Sequence, residues 1–174
     1  MKKKDILISL AIIGAAILAA WVCLQGKGYV RIDAGGAAAE LQLQNAWFTG
    51  TTITSGGRTT QTGARSYKAR RLNILQKQNG QDWRIESVGP WGELSRIKVR
   101  RSETTELRLG PPFAVRPQVS RSGSVLSVGY SIVGQAGEQY RSFAARDGRA
   151  VPGAKITILD EAGNMLETGQ FSYG

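Results

Sequence analysis

The chain has 174 residues, 41% of them hydrophobic, and a formal net charge of +10. One compact domain or two very small ones fit that length, and a fully disordered chain does not fit that apolar content. With no histidine and a single cysteine, Cys23, the composition excludes an intrachain disulfide, a Cys/His zinc site, C-x-x-C-H haem attachment and any catalytic unit that needs an imidazole.

The first predicted element is a membrane anchor over residues 1–26. Lys2, Lys3 and Lys4 open it, and the 19 residues from Ile6 to Leu24 carry no charge. A helix of that length spans ~28 Å, close to the ~30 Å bilayer core. Trp21 lies near its outer end, where an indole favours the interface. The lysines are expected to stay cytoplasmic, which exports the rest. Two alternatives are cleavage as a signal peptide and lipidation at Cys23. A cleaved leader has a shorter apolar core and a small-x-small site, which Leu18-Ala19-Ala20 does not provide. Val22 spoils a lipidation site by standing just before Cys23. The predicted location is a bacterial inner membrane, single-pass, with the C-terminal part in the periplasm or outside the cell.

Of the 23 Lys and Arg, three lysines belong to the anchor. The remaining 20 face 12 Asp and Glu, so residues 27–174 carry +8, and 15 of the 20 are arginine. A basic surface suits an anionic partner. On an exported domain that means lipid headgroups, acidic polysaccharide or an acidic protein, and not nucleic acid. A solvated basic surface with no partner would show the same composition.

Strand signals dominate the rest of the chain. Tyr29–Asp33 alternates, Gly35-Gly36 breaks it, and Glu40–Gln44 alternates again before Trp47-Phe48. The polar run Thr49–Gly63 has one large apolar residue, Ile53, and reads as a long hairpin tip or loop. Tyr67–Gln78 resumes strand character, and Asn79-Gly80 is a strong two-residue hairpin turn. Asp82–Val88 alternates. Gly89-Pro90-Trp91-Gly92 turns, and a strand is predicted over Leu94–Arg101, with Ile97 and Val99 on one face. Glu103–Leu109 closes the first half.

Gly110-Pro111-Pro112 marks a boundary between a β-rich domain (27–110) and a second unit (111–174), unless one continuous domain spans both. Phe113–Val119 reads as an edge strand, because Pro117 cannot donate to a ladder. Ser124–Val133 aligns Leu126, Val128, Tyr130 and Ile132. Gly134–Gly137 turns, Tyr140 and Phe143 follow, and Arg146–Arg149 turns again. Lys155–Leu159 and the segment after Met165 close the chain around an Asp160–Asn164 reversal. Strands at this spacing predict a mostly β fold, an antiparallel β-sandwich of one or two small units after a single transmembrane helix.

The string Val151-Pro152-Gly153-Ala154-Lys155-Ile156-Thr157-Ile158-Leu159-Asp160, then Gly163 and Thr168-Gly169-Gln170-Phe171, resembles the carboxypeptidase regulatory-like, transthyretin-like β-sandwich module. The resemblance covers about residues 124–174. It implies a non-catalytic seven-strand sandwich that serves as a stabilising or binding appendage. In such modules further strands follow the Gly-x-Phe, so the first half, or a partner by strand addition, is expected to complete the sheet. An unfilled edge is a site for a protein partner or for self-association.

No catalytic, cofactor or metal residue is predicted. Asp147 and Asp160 sit in turns, and no spacing sets two carboxylates across a cleft. The residues that suggest recognition are basic and aromatic: Tyr67, Lys68, Arg70 and Arg71, then Trp91 close to Arg96, Lys98, Arg100 and Arg101. A turn tryptophan can stack on a sugar ring while guanidinium forks hold a carboxylate or phosphate. The competing reading makes Trp91 a core plug and the arginines the wet face of a sheet.

Overall fold

A computed structural model describes residues 26–46, 49–141 and 144–171. The predicted anchor, with Lys2, Lys3, Lys4 and Trp21, lies outside the described residues, as do Trp47, Phe48 and Phe143. Among the described residues no helix is long and apolar enough to cross a membrane. The chain is mostly β, built from several sheets with chiefly antiparallel pairing.

In chain order the first half holds β1 (Lys27–Asp33), β2 (Ala38–Gln44), β3 (Gly50–Thr54), β4 (Thr60–Gly63), β5 (Ser66–Gln78) and β6 (Gln81–Ser87). A 3-10 turn (Gly92–Ser95), β7 (Ile97–Lys98) and β8 (Thr104–Arg108) complete it. The second half holds β9 (Ala114–Ser122), β10 (Val125–Val133), β11 (Gln139–Tyr140) and β12 (Ala144–Arg146). It ends with β13 (Arg149–Ala150), β14 (Lys155–Leu159) and β15 (Met165–Gln170).

The largest sheet runs β13-β12-β6-β5-β2-β3, with β7 added to β5. Its centre follows the sequence pattern closely. Ala39, Leu41 and Leu43 of β2 point inward at a period of two. Asn79 and Gly80 both adopt positive φ (52° and 75°) between β5 and β6, the geometry of the predicted tight hairpin. A smaller sheet, β4-β1-β8, contributes Val30, Ile32 and Leu107 to the same hydrophobic core as Leu41, Leu72 and Ile74. Each fully buried Leu or Val contributes about 1.5–3 kcal/mol relative to exposure. The β1–β8 pairing is parallel, a departure from the all-antiparallel expectation. The whole run from β2 to β7 separates the two strands, so β8 is free to return in β1's direction.

Two predicted elements differ from the structure. The polar run 49–63 is not one long loop or hairpin tip: β3 pairs with β2 and β4 pairs with β1, and the loop shrinks to 55–59 between them. Threonine is a good strand former, and Ile53 inserts fully into the core from β3. The strand expected over Leu94–Arg101 shortens to β7, because Gly92–Ser95 coils into a 3-10 turn and drops Leu94 into the core. The predicted facing survives, with Ile97 and Val99 buried and Arg96, Lys98 and Arg100 exposed.

Across Gly110–Pro112 the second half is stitched onto the first. β12 pairs with β6 at the sheet's growing edge, and Arg141 N–H donates to Glu86 O (2.9 Å). β9 and β10 form a long ribbon that projects one apolar face. Val115, Pro117 and Val119 stand opposite Ile132, Tyr130 and Val128. Val115 and Val119 remain 65% and 63% exposed. Along β14–β15 Leu159, Met165 and Leu166 are likewise exposed. The two ribbons meet at an edge-on ring contact, Tyr130 against Phe171, with centroids 4.7 Å apart.

Candidate functional site

The local sequence Ala69-Arg70-Arg71-Leu72 cannot follow a strict period of two. With Ala69 inside, alternation would bury Arg71 and expose Leu72. The strand avoids this with a bulge: Leu43 opposes Ala69 and Gln42 opposes Arg71, leaving Arg70 as the extra residue. Both arginines then face solvent and Leu72 returns to the core. The bulge thereby places two successive arginines on the solvent side of one strand, Arg70 bonded toward β2 and Arg71 toward β6.

These arginines line an open groove of about 720 Å³ with Lys68, Gln42, Gln44, Val88, Ser95 and Trp91. Arg70 Nη1 donates to Gln44 Oε1 at 2.9 Å, which fixes that fork at the groove wall. Arg71 Nε pairs with Glu86 at 2.8 Å, and Arg141 approaches the same carboxylate at 3.5 Å. Lys68 and Arg70 add two more cations to the groove wall, so its balance stays positive.

Trp91 is half-buried. It packs against the core with one side and lines the groove with the other. It precedes the 3-10 turn, whose Leu94 N–H donates to Trp91 O (3.0 Å) and whose Glu93 N–H donates to Ala136 O (2.8 Å). Gly92 is required there: it holds φ +54°, and a Cβ would collide with the Ala136 carbonyl oxygen. Trp91 thus packs on the core and also lines the groove.

The nine predicted surface residues divide. Lys68, Arg70, Arg71 and Trp91 meet in the groove. Tyr67 is removed from the group: it is buried, and its hydroxyl bonds Thr62 Oγ1 (2.8 Å) and the Gly63 carbonyl (3.1 Å). Strand alternation turns it inward while Lys68 turns out. Arg96 and Lys98 lie on the exposed face beyond the groove, with Lys98 opposite Ser66. Arg100 and Arg101 sit at a different place, the end of the body where β1 begins.

Glu138 carries no signal in the strand pattern, yet it is completely buried. Its carboxylate accepts from Gly110 N–H (2.7 Å), Ala136 N–H (2.9 Å) and Tyr140 O–H (2.7 Å). It clamps the end of β8 to the turn before β11. Burial, and then the charge of Glu138, push the Tyr140 phenol far above its ordinary range. The hint in the sequence is an acid between a Gly-Gln-Ala-Gly turn and the short segment Gln139-Tyr140. Comparison of the chain with family models, with curated proteins and with solved structures finds no match.

Proposed function

We propose that the chain is a membrane-tethered, non-catalytic β-sandwich module on the extracytoplasmic side of a bacterial inner membrane, an accessory part of an envelope assembly. The observation that carries this reading is the apolar face of β9–β10, where Val115, Val119 and Leu126 stay exposed among the described residues. Exposed apolar surface of this kind marks a contact with another molecule. Pro117 lies in the outer strand and lacks an N–H, which weakens strand addition at that edge and favours docking on the face. The transthyretin-like reading of the C-terminal part rests on its sequence string, Val151 to Asp160 followed by Gly163 and Gly169-Gln170-Phe171. The test is purification of the full chain from membranes in mild detergent. A stoichiometric protein partner that is lost on Val119→Ser with Leu126→Ser supports the assembly role. A clean monomer rejects it.

The groove supports a second reading, a binder of anionic glycan. Arg70, Arg71 and Lys68 line one groove with the indole of Trp91, a set of groups suited to a uronate or phosphorylated sugar ring. Binding of a polyuronate is expected to weaken as salt rises and to fall with Arg70→Ala. Salt-independent binding defeats this reading.

A further inference from the structure

Three segments converge where the described chain begins: the start of β1, the turn from β4 to β5, and the loop from β7 to β8. Ala64 N–H donates to Gly26 O (2.7 Å), Ser102 N–H to Lys27 O (2.8 Å) and Tyr29 N–H to Glu103 O (2.9 Å). Val99 N–H donates to Arg65 O (3.0 Å), tying the two outer segments together. Gly28 packs so closely that a Cβ would collide with the Arg100 carbonyl oxygen, and a Cβ on Gly26 would collide with the Arg101 side chain. The backbone is therefore fastened to the body from Gly26 onward.

This end is strongly basic. Lys27, Arg65, Arg100 and Arg101 lie on the three segments, against one acid, Glu103. Glu103 pairs with Arg100 at 3.5 Å, but the two side chains are 59% and 64% exposed, so the pair neutralises little. Arg65 folds over Gly63 and its Nε has no hydrogen-bond partner among the described residues. Four cations and one carboxylate leave an excess of three positive charges around the point where the chain leaves for its N-terminal segment. Charges held within a Debye length of an anionic bilayer are attracted to it, each basic side chain adding to the effect.

We infer that Lys27, Arg65, Arg100 and Arg101 form a collar that seats the body on the anionic headgroups of the bilayer. The inference rests on the N-terminal tether proposed above. With such a collar the body stands at a fixed height and orientation over the lipid, instead of swinging on its tether.

The test uses the full chain carrying Cys23→Ser and Ser102→Cys, labelled at position 102 with an environment-sensitive dye. It is reconstituted into vesicles of phosphatidylcholine, or of phosphatidylcholine with phosphatidylglycerol, each containing a headgroup-level quencher. The chain is expected to float with both vesicles, and the dye to be quenched several-fold more in the anionic ones. Arg100→Gln with Arg101→Gln is expected to return quenching to the neutral level, while Arg100→Lys with Arg101→Lys keeps it. Flotation with both vesicles but equal quenching, or quenching untouched by the glutamine pair in a folded protein, overturns the collar and leaves the tether standing. Failure to float with neutral vesicles overturns the tether, and the collar with it.

Discussion

β2 and β10 are alternating strands of similar length, yet β2 fully buries every second side chain, whereas β10 fully buries Val133, half-buries 128–132 and leaves Val125 and Leu126 exposed. β2 sits inside a six-strand path, faced by a second sheet that supplies Val30, Ile32 and Leu107. Among the described residues β10 pairs with β9 and the short β11, and its outer end, Val125 and Leu126, stays exposed. Alternation encodes that a strand has an apolar side. It does not encode what covers that side. In the first half the cover comes from the same chain, whereas in the β9–β10 ribbon Val115, Val119 and Leu126 stay exposed among the described residues.

Substitution is expected to separate the two regions clearly. Leu72→Ala, in the closed core, lowers the unfolding free energy by about 2–5 kcal/mol. Leu126→Ala, on the open ribbon, changes it by less than about 0.5 kcal/mol. Urea titration of the two variants in the same detergent measures both. Equal losses would mean that the ribbon is covered in the full chain and would erase the contrast. Glu138→Ala ranks next. It leaves two buried backbone N–H groups and the Tyr140 hydroxyl without their acceptor, at a cost of about 3 kcal/mol. Because the clamp joins the two halves, hydrogen exchange at Gly110 and Ala136 should accelerate with it.

Smaller effects refine the junction. The raised Tyr140 pKa means that the folded state keeps a proton the unfolded state gives up above about pH 10. Its contribution to stability is thus constant below that pH and falls as pH rises beyond it. Tyr140→Phe removes this part of the alkaline loss and costs about 1 kcal/mol near neutrality, both readable from denaturation midpoints across pH. A small change is also expected at the exposed Arg31–Glu106 pair (3.1 Å), where Glu106→Gln shifts stability by less than about 1 kcal/mol and salt erases the difference.

Particular residues show how much of the fold and of the groove is legible in the sequence. Asn79-Gly80 announces its hairpin because few residues other than Asn and Gly tolerate two successive positive φ angles. Ile97 and Val99 turn inward as their alternation requires, even though the strand around them is short. The run 49–63 looks like a loop because polar threonines hide a strand whose burial rests on one residue, Ile53. The Arg70-Arg71 doublet is plainly basic, but its bulge follows only from counting which register keeps Leu72 inside. Arg100 and Arg101 stand near Trp91 in sequence, whereas a turn and a short strand carry them to another end of the body.

The sequence by itself determined the strand-rich class, the basic balance, the sharp turns and the inward or outward facing of most side chains. These are local properties, set by backbone sterics and side-chain polarity over a few residues. Only the tertiary structure decided the parallel return of β8 beside β1, the meeting of Lys68, Arg70, Arg71 and Trp91, the convergence of basic residues on Gly26, and the burial of Glu138. Each depends on contacts between segments far apart in the chain, and chain closure over such distances is fixed by the joint packing of the whole core rather than by any one stretch.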